Sequence, residues 1–328
     1  MNIKSDIYVI IGTQIPKEES VNSQDVKNAI SGVLVVDKPV GMTSHDVVQA
    51  IRNGTGLRRA GHTGTLDPRA SGVLVILVGP AVRLSEYVSA SDKRYQAIIR
   101  MGGRTDTFDA EGKFTQDNQP INVTEQQFEE VLKTFVGEIE QTPPPYSAVK
   151  VQGRKAYEMA RKGEEVELEP RKITVHHLEV LEWAPPEVVI DVHCSSGTYV
   201  RSLANDLGEK LGCGAYLVGL RRTKSGRFSL RDAVPLRKLQ EAFHAGNWYQ
   251  YLIPAAEALG DWPAIELSPD DVEGVRHGHR VKAEPDTPIG KRVRGVSTQG
   301  ELVALMECLI GEDGEPAWQP KKVFFTSD

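Results

Sequence analysis

The segment that most constrains this chain is Ala60–Gly72 (AGHTGTLDPRASG), which runs without a break into Val73–Val78 (VLVILV). The first part is turn-rich, with Gly61, Gly64, Pro68 and Gly72. The second is a short apolar run that reads as a buried strand. A fold must bury that strand while holding the turn at its head. The run is six residues long, far too short to span a bilayer of roughly 20 helical residues. Ile7–Ile11 (IYVII) follows a single lysine and lacks the form of a secretory signal, so the cytoplasm is the expected compartment. Cys194, Cys213 and Cys308 are widely spaced with no CxxC pair, which argues against a disulfide framework.

Around that segment the chain alternates irregularly between strand and helix patterns. Residues 1–30 are polar apart from IYVII and read as an N-terminal extension. Gly32–Val36 (GVLVV) reads as a buried strand. Thr43 with Asp46 forms a capping-box pattern ahead of Val47, Val48 and Ile51, and Gly54 and Gly56 end that helix. Tyr95–Met101 alternates with period two, as does Val188–Cys194. Thr124 with Gln127 opens a helix whose buried stripe is Phe128, Val131, Leu132 and Phe135. Val200, Leu203, Ala204, Leu207 and Leu211 share a helical face that Gly212 stops. Regular βα alternation is missing, so the fold class is α+β rather than doubly wound. Beyond Trp262-Pro263, a capped helix start at Ser268–Asp271 and a strand near Leu302–Ile310 suggest a small β domain over 263–328.

Net charge is a poor guide to partners here. The chain carries −6 overall, from 39 basic and 45 acidic side chains. Residues 31–110 hold 10 basic and 7 acidic groups, 141–172 hold 7 and 5, and 191–231 hold 7 and 3. Those three stretches are net basic and the rest of the chain is acidic. Patches, not totals, decide nucleic-acid binding. The densest basic run is Arg221–Arg227, backed by Arg231.

Three places carry candidate chemistry. Asp67, before Pro68 in a glycine-rich turn, is by default a turn-former; a catalytic role needs a cation that keeps it ionised and aimed. Arg201, opening a helix after a strand, is such a candidate and equally suits a surface position. Tyr95 reads as a core aromatic or as a ring that meets a ligand. His62 reads as a turn histidine or a ligand contact. His176, His177 and His193 could suggest a metal. Asp191 shares a strand face with His193, but no further ligand follows at a recognisable spacing, so no metal is expected. Asp106 and Asp109, in RTDTFDAEG, read as loop-solvating carboxylates.

The segments GVLVVDKPVGMTSHDVV, GHTGTLDPRASGVL, KRYQAIIRMGGRTDTFDAEG, PPPYSAVKVQGRKAYEMARKG and CSSGTYVRSLANDLGEKLGCGAYLVGLRRTKSG together resemble the bacterial TruB-type tRNA pseudouridine-55 synthases. The likeness runs in order from about Gly32 to Pro254. It implies an α+β pseudouridine synthase fold with a central mixed, largely antiparallel sheet over 31–262 and a PUA-like domain over 263–328. It implies isomerisation of a uridine in the tRNA T-loop by base flipping, without metal or cofactor, by a monomer that needs no protein partner. By motif position, Asp67 resembles the family's essential aspartate, Tyr95 its active-site tyrosine and Arg201 the arginine that pairs with that aspartate. Attack at C6, attack at C1′ and assistance of a glycal intermediate all stay open for Asp67. His62 resembles the residue that fills the space left by the flipped base, and Tyr199 and Leu220 resemble residues lining the uracil pocket. The insertion 141–172 resembles a loop clamped over the T-arm. Lys150, Arg154, Lys155, Arg161 and Lys162 in the insertion, with Arg221, Arg222 and Lys224 beyond it, are the expected RNA-backbone contacts. With 8 basic and 12 acidic residues, the 263–328 domain is the weaker RNA binder by charge.

Overall fold

The computed structural model describes residues 30–147, 149–151, 153–160, 162–164, 166–311 and 314–324. The expected N-terminal extension and Arg161 lie outside them. The chain divides into two compact units. One holds residues up to 67, 74–89 and 227 onward; the other holds 68–73 and 90–226. Among the described residues, no helix is long and apolar enough to cross a membrane.

In the first unit, β1 (Gly32–Lys38) leads to α1 (Ser44–Thr55), then β2 (Ala60–His62) and the second half of β3 (Ala70–Val78). Val234–Pro235 pairs with β1 in parallel, Ile253–Pro254 pairs with it antiparallel, and β2 lies antiparallel along β3. Val73–Val78 is fully buried, as its apolar run requires; each such side chain contributes about 1.5–3 kcal/mol of transfer free energy. The Thr43–Asp46 capping box forms, with Asp46 N donating to Thr43 Oγ1 at 3.0 Å and Thr43 N to Asp46 Oδ2 at 2.8 Å. Val47, Val48 and Ile51 face the core. Gly56, at φ +72°, closes the helix in the left-handed conformation.

The second unit is built on a mixed sheet. Its strands are the start of β3, β4 (Lys93–Met101), β5 (Gly137–Gln141), β6 (Arg171–Ala184), β7 (Glu187–Cys194) and β8 (Ala215–Ser225). They lie in the order β3-β8-β4-β7-β6-β5, with β8 parallel to β3 and the other pairs antiparallel. The period-two readings hold: Ala97, Ile99 and Met101, and Val188, Ile190 and Val192, are buried. α2 (Glu125–Lys133) and α3 (Val200–Lys210) bury Phe128 and Leu132, and Leu203, Ala204 and Leu207. At Gly72 the backbone takes φ +97°, and a Cβ there would stand 2.2 Å from the Arg222 carbonyl oxygen. Only glycine lets β3 and β8 approach so closely.

The C-terminal stretch, grouped with the first unit, forms its own sheet. β9 (Ala264–Leu267), α4 (Pro269–Arg276), β10 (Val281–Lys282), β11 (Arg292–Ser297), β12 (Leu302–Ile310) and β13 (Pro316–Val323) follow in turn. The strand order is β9-β11-β12-β13-β10. Leu267, Val293, Met306, Cys308 and Trp318 form its core. Arg83 Nη1 donates to the Val323 carbonyl at 2.6 Å, Lys322 Nζ donates to the Arg83 carbonyl at 2.9 Å, and Lys322 also pairs with Glu86.

Candidate active site

Asp67 ends the first segment of the first unit, and Pro68 opens the second unit. The residue before it is pinned. Ser44 Oγ, buried at the start of α1, accepts from Leu66 N at 2.8 Å and donates to the Leu66 carbonyl at 3.0 Å. Thr63 N donates to the Val75 carbonyl at 3.1 Å, so both ends of the turn are fastened to rigid elements. Leu66 is buried while Asp67 is partly exposed. The turn therefore presents a carboxylate from a fixed backbone.

His62 ends β2 opposite Ile76. It lines a cavity of about 320 Å³ with Arg52, Arg58, Arg59, Ala60, Gly61, Leu77, Val82 and Ser85. Arg52 Nη2 donates to the Ala60 carbonyl at 2.7 Å, which turns its guanidinium toward this wall. Three arginines around one cavity suit an anion such as a phosphate. Sequence reasoning passed over them, although Arg58-Arg59 stands just before the motif that contains His62.

Arg201, the second residue of α3, is 8 % exposed. Nη1 donates to the Thr107 carbonyl and to Asp109 Oδ2, both at 3.3 Å, and Nη2 donates to the Tyr146 carbonyl at 3.1 Å. Of the two open readings of Arg201, the surface one is excluded. Asp109 was expected to solvate a loop, and that expectation is corrected. Its Oδ1 accepts from Thr107 Oγ1 at 2.6 Å and Glu111 N at 3.0 Å, which leaves Oδ2 for Arg201. The loop is tied to β8 by Leu217 N to the Phe108 carbonyl and Ala110 N to the Leu217 carbonyl, both at 3.0 Å. A short Asp in a loop gives no sequence signal for a partner 92 positions away.

The same helix end anchors the insertion. Gln141 exchanges hydrogen bonds with the Tyr199 backbone at 2.8 and 3.0 Å, and Ser202 Oγ donates to the Thr142 carbonyl at 2.8 Å. Tyr199 is the N-cap of α3 and partly exposed. Beyond the prolines, a short hairpin pairs Lys150 with Lys155 and is followed by the helical turn Ala156–Ala160. Lys150 and Lys162 are exposed. Arg154 is held by Glu164 in a two-pronged pair at 2.8 and 2.9 Å. That hydrogen-bonded carboxylate raises the Arg154 pKa, and Arg154 in turn lowers that of Glu164.

Tyr95 is buried in β4, in register with Val192 on one side and Arg222 on the other. Leu220 pairs with Ala97 and with Ala70, the third residue after Asp67. Arg222 departs from its expected role at the RNA backbone. It is 2 % exposed, and its Nε donates to the Val73 carbonyl at 2.7 Å. Arg222 faces inward, and a register shift between Arg222 and Lys224 breaks the alternation of β8, so that Lys224 is exposed while Arg221 is half-buried. Beside it, burial first and the Arg222 charge second push the Lys93 ammonium down to about 8. Burial pushes the Cys194 thiol up to about 11.

Comparison with known proteins settles the family. Residues 52–200 match the profile of the TruB family pseudouridylate synthase N-terminal domain, and 201–259 match the tRNA pseudouridylate synthase B C-terminal domain. The chain belongs to the TruB family of pseudouridine synthases. It is 42 % identical over 296 residues to the tRNA pseudouridine synthase B of Pseudomonas fluorescens, covering 89 % of this chain and 95 % of that protein. Against the enzyme of the same name from Syntrophotalea carbinolica, identity is 43 % over 249 residues, covering 76 % and 81 %. Among solved structures, a chain of an H/ACA ribonucleoprotein bound to a substrate RNA containing 2′-deoxyuridine superposes with a TM-score of 0.69 at 27 % identity, covering 92 % of this chain and 86 % of that one. The TruB-family chain thus has the pseudouridine synthase fold expected from its motifs, with a C-terminal β domain, and it is an isomerase that acts on RNA.

Proposed function

We propose that this chain converts a uridine of the tRNA T-loop, the one at position 55, to pseudouridine, and that Asp67, Tyr95 and Arg201 carry the reaction. The observation that carries the reading is identity of about two-fifths sustained over 95 % of a tRNA pseudouridine synthase B, with all three motif residues in place. The reaction breaks the N1–C1′ bond, turns the uracil and joins C5 to C1′. The C5 proton leaves, and N1 ends with a proton. Asp67 is the nucleophile, or the base that assists a glycal route. Arg201, its charge taken out of water, supplies a fixed positive field that strengthens as solvent is excluded. Tyr95 stacks on the flipped base and stands ready to take a proton. Leu220 and Tyr199 line the uracil pocket, and His62 fills the vacated place in the RNA stack. Extrusion of the base costs a few kcal/mol, offset by phosphate contacts. Lys150, Arg154, Lys155, Arg161, Lys162, Arg221 and Lys224 make those contacts, joined by the arginines around the His62 cavity.

The insertion 141–172 closes over the T-arm, and the enzyme works as a monomer in the cytoplasm without a guide RNA or obligate protein partner. The test uses an unmodified T-arm stem-loop, tritiated at C5 of its uridines, with purified protein alone. The reading predicts release of one label per stem-loop and none when the target uridine is replaced by cytidine. Release that requires an added protein or guide RNA would refute it.

A further inference from the structure

We propose that Asp92, His176 and His193 form a zinc-binding site on the surface of the second unit. Asp92 precedes β4, His176 is on β6 and His193 is on β7, so three segments each supply one donor. His176 Nε2 lies 3.1 Å from Asp92 Oδ2, and His193 Nε2 lies 3.9 Å from the same oxygen. The two imidazole rings are 4.8 Å apart at 48°, and the three donor atoms all fall within 4.8 Å of one another.

Those spacings suit a metal. Bonds of about 2.0–2.1 Å in a tetrahedral zinc site place neighbouring ligand atoms roughly 3.3 Å apart. A plain histidine–carboxylate hydrogen bond accounts for His176 but not for His193, whose Nε2 faces the same oxygen from beyond hydrogen-bond reach. Two imidazoles and one carboxylate form a borderline set that favours zinc over magnesium or calcium. All three side chains are partly exposed, so water can complete the coordination.

The backbone around the cluster is fixed. Gly226 N donates to the Asp92 carbonyl at 2.9 Å, Ser195 N to the Thr174 carbonyl at 2.8 Å, and Thr174 N to Ser195 Oγ at 2.9 Å. Asp191, the acid that sequence reasoning had considered beside His193, is taken by Arg94 at 2.8 Å. Lys93, Arg94 and Lys224 are nearby cations, and Asp92 is the anion that offsets an incoming ion. Binding needs both rings neutral with the proton on Nδ1, so each ligating Nε2 must be free of its proton. An ion held there would cross-link the head of β4, three residues before Tyr95, to β6 and β7.

The experiment is calorimetric titration of zinc alone into the full chain, freed of metal by a chelator, at mildly alkaline pH. The expected result is a tight site that His193→Gln and Asp92→Asn each weaken by about tenfold or more, since loss of a ligand costs at least as much as loss of a partner that merely orients one. Zinc should also raise the melting temperature of the unaltered chain and not of either variant, while zinc-free melting stays the same in all three. Cobalt bound to the unaltered chain gives a second readout, with intense visible bands expected from a four-coordinate ion. Equal zinc affinity in the unaltered chain and both variants, or a cobalt spectrum matching the hydrated ion, would overturn the proposal.

Discussion

Arg201 donates to Asp109 Oδ2 at 3.3 Å, with the two side chains 9 % and 15 % exposed. Asp109 spends its other oxygen on Thr107 and Glu111, so the pair is clamped at the acidic end. Arg201 also holds the Tyr146 carbonyl, and one guanidinium thereby connects the Asp109 loop to the start of the basic insertion. Asp109→Ala should leave RNA affinity within a few-fold and lower the single-turnover rate by about 10- to 100-fold, because loss of the clamp lets Arg201 drift by a fraction of an ångström. A parallel loss of affinity and rate would make Asp109 a folding residue only.

Ser44 is the second lever. Its hydroxyl serves both the N–H and the carbonyl of Leu66, the residue before Asp67. Ser44→Ala leaves both groups without that partner inside the protein, at about 1–3 kcal/mol each when buried. The expected outcome is a lower melting temperature and a slower chemical step, with unchanged affinity for the stem-loop. A rate equal to that of the unaltered chain would show that Asp67 is positioned without Ser44.

Lys93 gives a pH signature. Its folded-state pKa of about 8 lies below the ordinary 10.5, so between those values the unfolded chain binds a proton that the folded chain has lost. Stability from this group therefore rises with pH over that window. Cys194 works in the opposite sense above its ordinary 9.0, because its folded-state pKa is about 11. The clean interval is pH 8 to 9. There, urea unfolding of the unaltered chain should gain up to about 1 kcal/mol relative to Lys93→Met. Parallel curves for the two proteins would contradict the assignment.

Much of this architecture was legible because it depends on local patterns. Thr43 with Asp46 and Thr124 with Gln127 announce their helices, and the alternation from Tyr95 to Met101 announces β4. Asp67, Tyr95 and Arg201 are proposed as site residues through motifs that resemble a family. Partnerships made by the fold were not legible. Nothing near Asp109 marks it as the partner of Arg201, and nothing near Asp92 joins it to His176 and His193. Arg222 differs for a related reason: it belongs to a basic run, but the pairing of β8 with β3 buries it against the Val73 carbonyl.

The insertion carries a built-in competitor. Glu164 already occupies the Arg154 guanidinium, and under the proposed function an RNA phosphate at Arg154 has to displace it. Glu164→Gln should tighten stem-loop binding and steepen its salt dependence by about 0.7–0.9 in the log–log slope, one additional phosphate contact. Neutralising Arg154 and Lys155 together should flatten that slope. A salt slope unchanged from that of the unaltered chain in both variants would remove the insertion from the interface.

Under the proposed function the Asp67 carboxylate performs the isomerisation. The most direct measurement is tritium release from the C5-labelled T-arm stem-loop by Asp67→Ala, compared with the unaltered chain at matched RNA occupancy. The expected result is binding within a few-fold and no release above background. Release by Asp67→Ala at the unaltered rate would contradict it.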